Sequence, residues 1–202
     1  AASINRPVTI IPKGNVKITR ASETYVFSVN KNFSVRGEKG NTLTISDSST
    51  QNNYPLISCT QVDVTVSFSN CIFENAKNTE SYGSVLYVSG KQNISLENCE
   101  IKNNNGSSIF LSQEEDSSIK FVDCSFVNNA TDITVKECYS FTLSGLINIS
   151  SLYFENSPID NVYPQYNVEC ENLSGMVVIK AEDYDNLTLF ENGTTLPNGV
   201  FS

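Results

Sequence analysis

Phe68-Ser-Asn-Cys71-Ile-Phe73-Glu-Asn75 is the first copy of a repeat that decides the fold of this chain. The pattern returns as Leu96-Glu-Asn-Cys99-Glu-Ile101-Lys-Asn103, as Phe121-Val-Asp-Cys124-Ser-Phe126-Val-Asn128, and more weakly as Phe141-Thr-Leu-Ser144-Gly-Leu146-Ile-Asn148. Successive copies begin about 20 to 28 residues apart. A recurring period of this length is typical of a solenoid in which each repeat forms one turn.

The apolar positions change parity inside each copy. Val66 and Phe68 stand at even positions before Asn70, whereas Cys71 and Phe73 stand at odd positions after it. Because side chains alternate between the two faces of a strand, the chain must bend there to keep both sets inside. Asn and Asp tolerate the left-handed backbone that such a corner needs.

Two corner columns follow from this pattern. We predict the first corner at Asn70, Asn98 and Asp123, and the second at Asn75, Asn103, Asn128 and Asn148. At each corner we expect a ladder of side-chain amide hydrogen bonds that satisfies the buried backbone groups.

A third apolar segment follows each of the first three copies, and these segments are Leu86-Tyr-Val88, Ile109-Phe-Leu111 and Ile133-Thr-Val135. Similar alternating segments extend towards both termini. The sequence therefore predicts an all-β, single-stranded parallel β-helix, or β-solenoid, with three short strands per coil and roughly seven to nine coils. Residues 1–202 are expected to form a single domain. Its open ends would suit a position in a larger assembly or chain.

Composition and charge exclude several classes of function. Asn, Ser and Thr make up about a third of the residues, His is absent, and the three Arg lie within the first 36 residues. The net charge of −9 argues against nucleic acid as a partner and against docking on an anionic membrane. The longest apolar run, Met176 to Ile179, is too short for membrane insertion.

The six Cys residues fall into two groups. Cys71, Cys99 and Cys124 share one repeat position and should stack as an inward column, either as small core residues or as bridges between neighbouring coils. Cys59, Cys138 and Cys170 lie outside the column, and a Cys138–Cys170 link is one possible pairing. Without His or a Cys-x-x-Cys pair, a zinc site lacks its usual ligands. No metal or cofactor is expected.

Eight Asn-x-Ser/Thr sequons occur. Asn148 is both a sequon and a predicted corner residue, and the remaining candidates for glycosylation are Asn32, Asn93, Asn105, Asn129, Asn172, Asn186 and Asn192. Together with an even number of Cys and a start at Ala-Ala-Ser, they favour a secreted, extracellular or cell-surface protein.

The repeats resemble those of polymorphic outer-membrane proteins, a subset of the pectate-lyase-like right-handed β-helix superfamily. Phe126-Val-Asn-Asn129 fits the Phe-x-x-Asn motif of that family, and Tyr82-Gly-Ser-Val85 and Gly106-Ser-Ser-Ile109 are similar to its Gly-Gly-Ala-(Ile/Leu/Val) motif with one Gly lost. The resemblance covers about residues 62–148. It implies a parallel β-helix and a role as a surface adhesin.

Enzymes of the superfamily act on acidic polysaccharides with clustered Asp residues and an Arg or Lys. Here no Arg follows Arg36, the carboxylates are scattered along the sequence, and no His could act as a base. The acidic clusters at residues 114–116 and 182–185 fit solvated loops better than calcium sites.

The favoured function is accordingly a non-catalytic structural or adhesive module that presents loops and glycans to protein or glycan partners. One alternative is a carbohydrate-active enzyme (lyase, hydrolase or esterase), in which carboxylates and a Lys would converge in a groove. The other is a carbohydrate-binding module, which would show exposed aromatic residues in a row.

Overall fold

The computed structural model describes residues 2–22, 24–49, 53–78, 83–114, 116–138, 140–155, 166–181 and 187–196. Within these ranges the chain forms twenty β-strands and no helix. The strands are β1 Ala2–Ile4, β2 Val8–Ile10, β3 Val16–Arg20, β4 Phe27–Val29, β5 Phe33–Arg36, β6 Leu43–Asp47, β7 Ile57–Cys59, β8 Val64–Ser69, β9 Cys71–Glu74, β10 Leu86–Gly90, β11 Gln92–Glu97, β12 Glu100–Lys102, β13 Ser107–Gln113, β14 Ser118–Val122, β15 Ser125–Val127, β16 Thr131–Glu137, β17 Ser140–Phe154, β18 Tyr166–Ala181, β19 Leu187–Glu191 and β20 Thr194–Thr195.

The strands stack as three parallel sheets around one core. Each strand from β1 to β12 pairs with the strand three places later in the chain. The first sheet runs β1-β4-β7-β10-β13-β16, the second β2-β5-β8-β11-β14, and the third β3-β6-β9-β12-β15. The predicted parallel β-solenoid is confirmed, and β17, β18 and β19 continue its sheets.

One vertical row of side chains tests the repeat register directly. Phe68 pairs with Leu96, and Leu96 pairs with Phe121, as the repeat predicts. The fourth copy was misaligned by two residues, because Phe121 pairs with Leu143 and not with Phe141. Its corner at Gly145 comes early, so this turn is shorter than the three before it.

The number of turns is lower than predicted. Strands β1 to β17 form about six turns against the seven to nine expected, and β18 and β19 extend the sheets beyond the sixth. The second turn is longer than the repeats implied, since the directly stacked Val35 and Phe68 are 33 residues apart. Five turns have three separate strands. Further on, β17 and β18 pass through corners without a break, with register shifts at those points.

The core is a column of apolar side chains with rings in contact along it. Phe33 and Phe73 both pack against Phe68, with ring centroids 5.9 and 5.3 Å from it. Near the other end, Phe154 contacts Phe141 and Tyr166. Each fully buried ring contributes roughly 1.5–3 kcal/mol through removal of its surface from water.

A short hairpin follows the last parallel strand of the second sheet. β19 pairs antiparallel with β20 across Asn192 and Gly193, which have φ of 47° and 78°. An Asn-Gly pair with two positive φ angles is the preferred two-residue hairpin turn. The hairpin covers part of the edge that the second sheet presents beyond β19 and so limits strand addition there.

Candidate functional site

The predicted corner residues share one backbone conformation. Asn70, Asn98 and Asp123 have φ near 50°, and the three residues of the second corner have φ of 54–60° at Asn128, Asn103 and Asn75. This left-handed conformation reverses which side of the strand faces the core. The side chains bond to backbone of neighbouring turns instead of to one another: Asn70 Nδ2 donates to the Gly37 carbonyl at 2.8 Å, and Asp123 Oδ1 accepts from Leu146 N–H at 2.8 Å.

Asn148 does not lie at the second corner. It pairs with Ser125 and is therefore inside the third sheet, where its side chain is exposed. The fourth copy is offset by two residues before its first corner and by three after it, because Asn148 pairs with Ser125 and not with Asn128. Asn148 was set apart from the other sequons because it was also a predicted corner residue. Since it does not lie at the corner, that conflict with glycosylation no longer exists.

The ladder of side-chain amides lies one residue past the second corner. Asn104 Oδ1 accepts from Ala76 N–H at 2.9 Å, and Asn129 Oδ1 accepts from both the backbone N–H and Nδ2 of Asn104, at 3.1 and 2.9 Å. Asn129 Nδ2 donates to the Ile101 carbonyl and to Asp132 Oδ1 at 2.9 and 3.0 Å. Asn104 was missed from the sequence. The doublets Asn103-Asn104 and Asn128-Asn129 are the signal that could have identified it.

The ladder ends on a buried carboxylate. Asp132 is 1% exposed, and its Oδ2 accepts from Ser150 N–H at 2.7 Å, Ser150 Oγ at 2.9 Å and Ser151 N–H at 3.1 Å. These hydrogen bonds stabilise the corner at Ser150 and Ser151, where β17 passes from the third sheet to the first. Both oxygens of the carboxylate accept hydrogen bonds from neighbouring parts of the chain, so the group stabilises the fold.

Asn129 is the sequon whose amide is fully engaged. Both hydrogens of Nδ2 are donated, and attachment of a glycan would remove one of them. The other described candidates, Asn32, Asn93, Asn105, Asn172 and Asn192, are exposed, and Asn186 lies outside the described residues. Glycosylation at all of them stays a prediction.

We expect Asn129 to be unoccupied in folded protein expressed in a eukaryotic secretory host. A glycan there would break a bond between two turns, whereas a glycan at Asn105 would project into solvent. Peptide-level mass spectrometry of the folded monomer measures occupancy at both sites. A monomer with Asn129 glycosylated and an unchanged melting temperature would contradict the ladder.

All six thiols are buried and free. Cys71, Cys99 and Cys124 stack on successive turns, and the Sγ of Cys99 and Cys124 donate to the carbonyls of Phe68 and Leu96. The predicted Cys138–Cys170 link is not formed. Burial raises the pKa of Cys59 and of Cys138 to about 12, and contact with Cys99 together with burial raises the pKa of Cys124.

Because the thiolate is the reactive form, we expect the native thiols to resist a disulfide reagent at pH 8. Labelling should proceed on the timescale of unfolding and reach six thiols only in denaturant. The measurement is the time course of thiol release with and without guanidinium. Rapid native labelling of any one Cys would place that residue outside the core.

The described carboxylates include one loose group, in which Asp116, Asp63 and Glu114 act on Lys91 and raise its pKa. Four exposed or half-exposed pairs join one Lys to one acid: Lys17–Glu74 at 2.7 Å, Lys91–Asp116 at 3.2 Å, Lys102–Glu100 at 2.9 Å and Lys120–Glu171 at 2.7 Å. Among the residues described, no group of three Cys, Asp or Glu side chains is arranged to hold a metal ion.

A buried ion pair lies at the corner between the third and first sheets. Arg20 and Asp47, paired in register at the ends of β3 and β6, have side chains 2% and 0% exposed. Arg20 Nη1 also donates to the carbonyls of Thr24, Tyr54 and Pro55, at 3.0, 2.7 and 2.9 Å. Although burial raises the pKa of Asp47, hydrogen bonds from Arg20 and Ser49 outweigh that effect and lower it below its usual value.

The loops held by Arg20 carry half of an exposed aromatic row. Tyr25 precedes β4, Tyr54 precedes β7, Tyr87 lies in β10 and Phe110 in β13, so the four residues belong to four consecutive turns. We call them the aromatic ribbon. Tyr25 and Tyr54 meet edge to face with centroids 5.3 Å apart, and Tyr87 and Phe110 lie 5.9 Å apart. Tyr54 is 40% exposed, and the other three are half-buried.

A cleft joins the two halves of the ribbon. It has a volume of about 200 Å³ and is lined by Tyr25, Asn53, Tyr54, Pro55 and Tyr87. None of the described residues that line it carries a formal charge. The sequence offered no local signal for this cleft, because its aromatic residues are 29 and 33 residues apart and meet only through the stacking of turns.

A second groove lies on the outer face of the second sheet. Stacked hydroxyls of Thr9, Ser34 and Ser67 stand beside the exposed Arg36 in a groove of about 400 Å³. Ser34 Oγ donates to Thr9 Oγ1 at 2.8 Å. One guanidinium and several hydroxyls are groups that bind an anionic, hydroxyl-rich ligand.

The comparisons with known proteins identify the fold. A family model described as right handed beta helix region matches residues 8–157. No curated protein and no solved structure matches the chain. In the part of the chain that the structure describes, no helix is long and apolar enough to cross a membrane.

Proposed function

The chain belongs to the right-handed β-helix family, and from that premise we propose that it is a non-catalytic adhesive module of the extracellular space or cell surface. Its partners are proteins or glycans, with no role for nucleic acid or membrane insertion. The observation that carries the proposal is the aromatic ribbon, a row of one exposed and three half-buried rings that lie on four consecutive turns. Rows of partly exposed aromatics are typical of contact surfaces.

The finer assignment, to repeats of the polymorphic outer-membrane type, rests on the Phe-x-x-Asn motif and on two degenerate copies of the Gly-Gly-Ala-(Ile/Leu/Val) motif. The fourth position of Phe-x-x-Asn is Asn129, which bridges turns, and the equivalent Asn104 does the same one turn earlier. In this proposal the motif is structural. The function then depends on the outer surface, which can vary while the core and corners stay constant.

A carbohydrate-binding or carbohydrate-active role is the second candidate, favoured by the groove at Arg36. That groove would hold an acidic sugar chain through one guanidinium and stacked hydroxyls. Four described Lys residues each form an ion pair with a different acid, and this separation of the charged groups supports binding over catalysis.

Both candidates are tested on one immobilised sample. Surface plasmon resonance against a panel of purified polysaccharides and matrix proteins measures retention, and the polysaccharides are then assayed for newly formed chain ends. Adhesion predicts retention without cleavage. Retention of polygalacturonate that is lost in Arg36→Ala would favour the second candidate, and new chain ends would overturn the non-catalytic proposal.

A further inference from the structure

We propose that the aromatic ribbon docks a proline-rich segment of a partner protein in the polyproline II conformation. This inference rests on the proposed adhesive function and names the chemistry of its partner. Polyproline II segments bind in aromatic-lined grooves because their rings are apolar, their backbone carbonyls are free, and little conformational entropy is lost. The ribbon provides an aromatic-lined cleft of the kind that such segments bind.

The cleft suits a proline ring better than a sugar. Its walls are three tyrosine rings and Pro55, and Asn53 supplies the one amide group among its lining side chains. A pyranose would bring several hydroxyls into a mostly apolar notch, where each unpaired hydroxyl costs free energy. A proline ring carries no hydrogen-bonding group, and the adjacent carbonyl can accept from the side-chain amide of Asn53.

The spacing of the two ring pairs matches the repeat of the ligand. The Tyr25–Tyr54 pair spans the second and third turns, and the Tyr87–Phe110 pair spans the fourth and fifth. The centres of the pairs are therefore two turns apart, about 9–10 Å at the spacing of strands in a sheet. In polyproline II, prolines three residues apart are separated by about 9 Å.

Charge specifies the end of the partner segment that lies beyond Phe110. Residues 1–48 carry seven Lys and Arg against three Asp and Glu, whereas residues 49–202 carry six against nineteen. Beyond Phe110 on the same sheet, Ser112 Oγ donates to Glu137 at 3.3 Å, and Glu114 is exposed. A proline-rich segment flanked by Arg or Lys complements this acidic margin, while the uncharged cleft receives its prolines.

The ion pair beneath the cleft gives the site a rigid base. Arg20 binds the carbonyls of Thr24, Tyr54 and Pro55, and so fixes both loops that bear the first ring pair. Preorganisation of this kind reduces the entropy lost on binding. It also gives the buried pair a role beyond stability.

The test is calorimetric titration with decaproline carrying two arginines at each end. We expect binding, and we expect Tyr54→Ala and Phe110→Ala each to weaken it at least about tenfold, as for central aromatic contacts. The same peptide flanked by glutamates should bind more weakly. Phe190→Ala removes a half-buried ring from the outer face of the second sheet and should leave the affinity unchanged.

Three results would overturn the proposal: no binding of the arginine-flanked peptide, equal losses in Tyr54→Ala and Phe190→Ala, or binding of cellohexaose in its place. Tyr54→Phe retains the ring, and normal melting of this variant with retained affinity guards against a folding artefact. If the peptide does not bind while the chain still retains other ligands from the panel of polysaccharides and matrix proteins, the adhesive function stands and only the docking chemistry is wrong. If nothing is retained, the proposed function fails as well.

Discussion

Asp132→Asn should lower the free energy of unfolding by about 2–4 kcal/mol, although it changes one atom of the side chain. The native carboxylate accepts from Asn129 Nδ2 on one oxygen, and from Ser150 and Ser151 on the other. An asparagine places its NH₂ group against donors in either orientation. Every arrangement leaves a donor facing a donor at a side chain that is itself buried.

Thermal and urea unfolding measure the loss of stability, and Asp116→Asn is the control variant. The Asp116 side chain is 81% exposed, and its ion pair with Lys91 lies at the surface, so the control should change stability by less than about 1 kcal/mol. Asn is compatible with the backbone conformation at both position 132 and position 116. For a chain of this size, 3 kcal/mol corresponds to a fall in Tm of roughly 6–12 °C. Similar melting of the two variants would show that the ladder does not stabilise the stack.

Arg20→Met should be at least as damaging, at about 3–5 kcal/mol. The substitution leaves Asp47 buried without its cation, and it leaves the carbonyls of Thr24, Tyr54 and Pro55 without their donor. Removal of one partner of a buried pair costs more than replacement of both. The double variant Arg20→Met/Asp47→Leu should therefore recover part of the loss, while the three carbonyls stay unpaired.

Lys17→Met provides the matched control, since Lys17 lies on the same strand as Arg20. The Lys17 side chain, which forms an ion pair with Glu74, is 55% exposed. We expect its effect to be below about 1 kcal/mol. Urea unfolding measures the stability of the unchanged protein, Arg20→Met, the double variant and Lys17→Met. An Arg20→Met variant as stable as Lys17→Met would mean that the corner relaxes and admits water. The preorganised base proposed for the aromatic cleft would then be lost too.

Local sequence predicted the path of the chain well where the pattern has its own physical cause. Side chains in a strand alternate with a period of two, so the parity change around Asn70 required a bend, and Asn70, Asn98 and Asp123 indeed have left-handed backbones. The vertical row of Phe68, Leu96 and Phe121 follows from the same alternation. Where the repeat degenerates around Gly145, the alignment slipped by two residues and Asn148 was misplaced.

The sequence by itself thus determined a parallel solenoid with a buried apolar column, because alternation and corner conformation are properties of neighbouring residues. The tertiary structure alone decided which polar groups meet across turns: Asn104 with Asn129, Arg20 with Asp47, and Tyr54 with Tyr87 beside one cleft. Residues in such sets are separated by 25 to 33 positions. That separation depends on loop lengths, which vary from turn to turn at little cost and leave no periodic trace in the sequence.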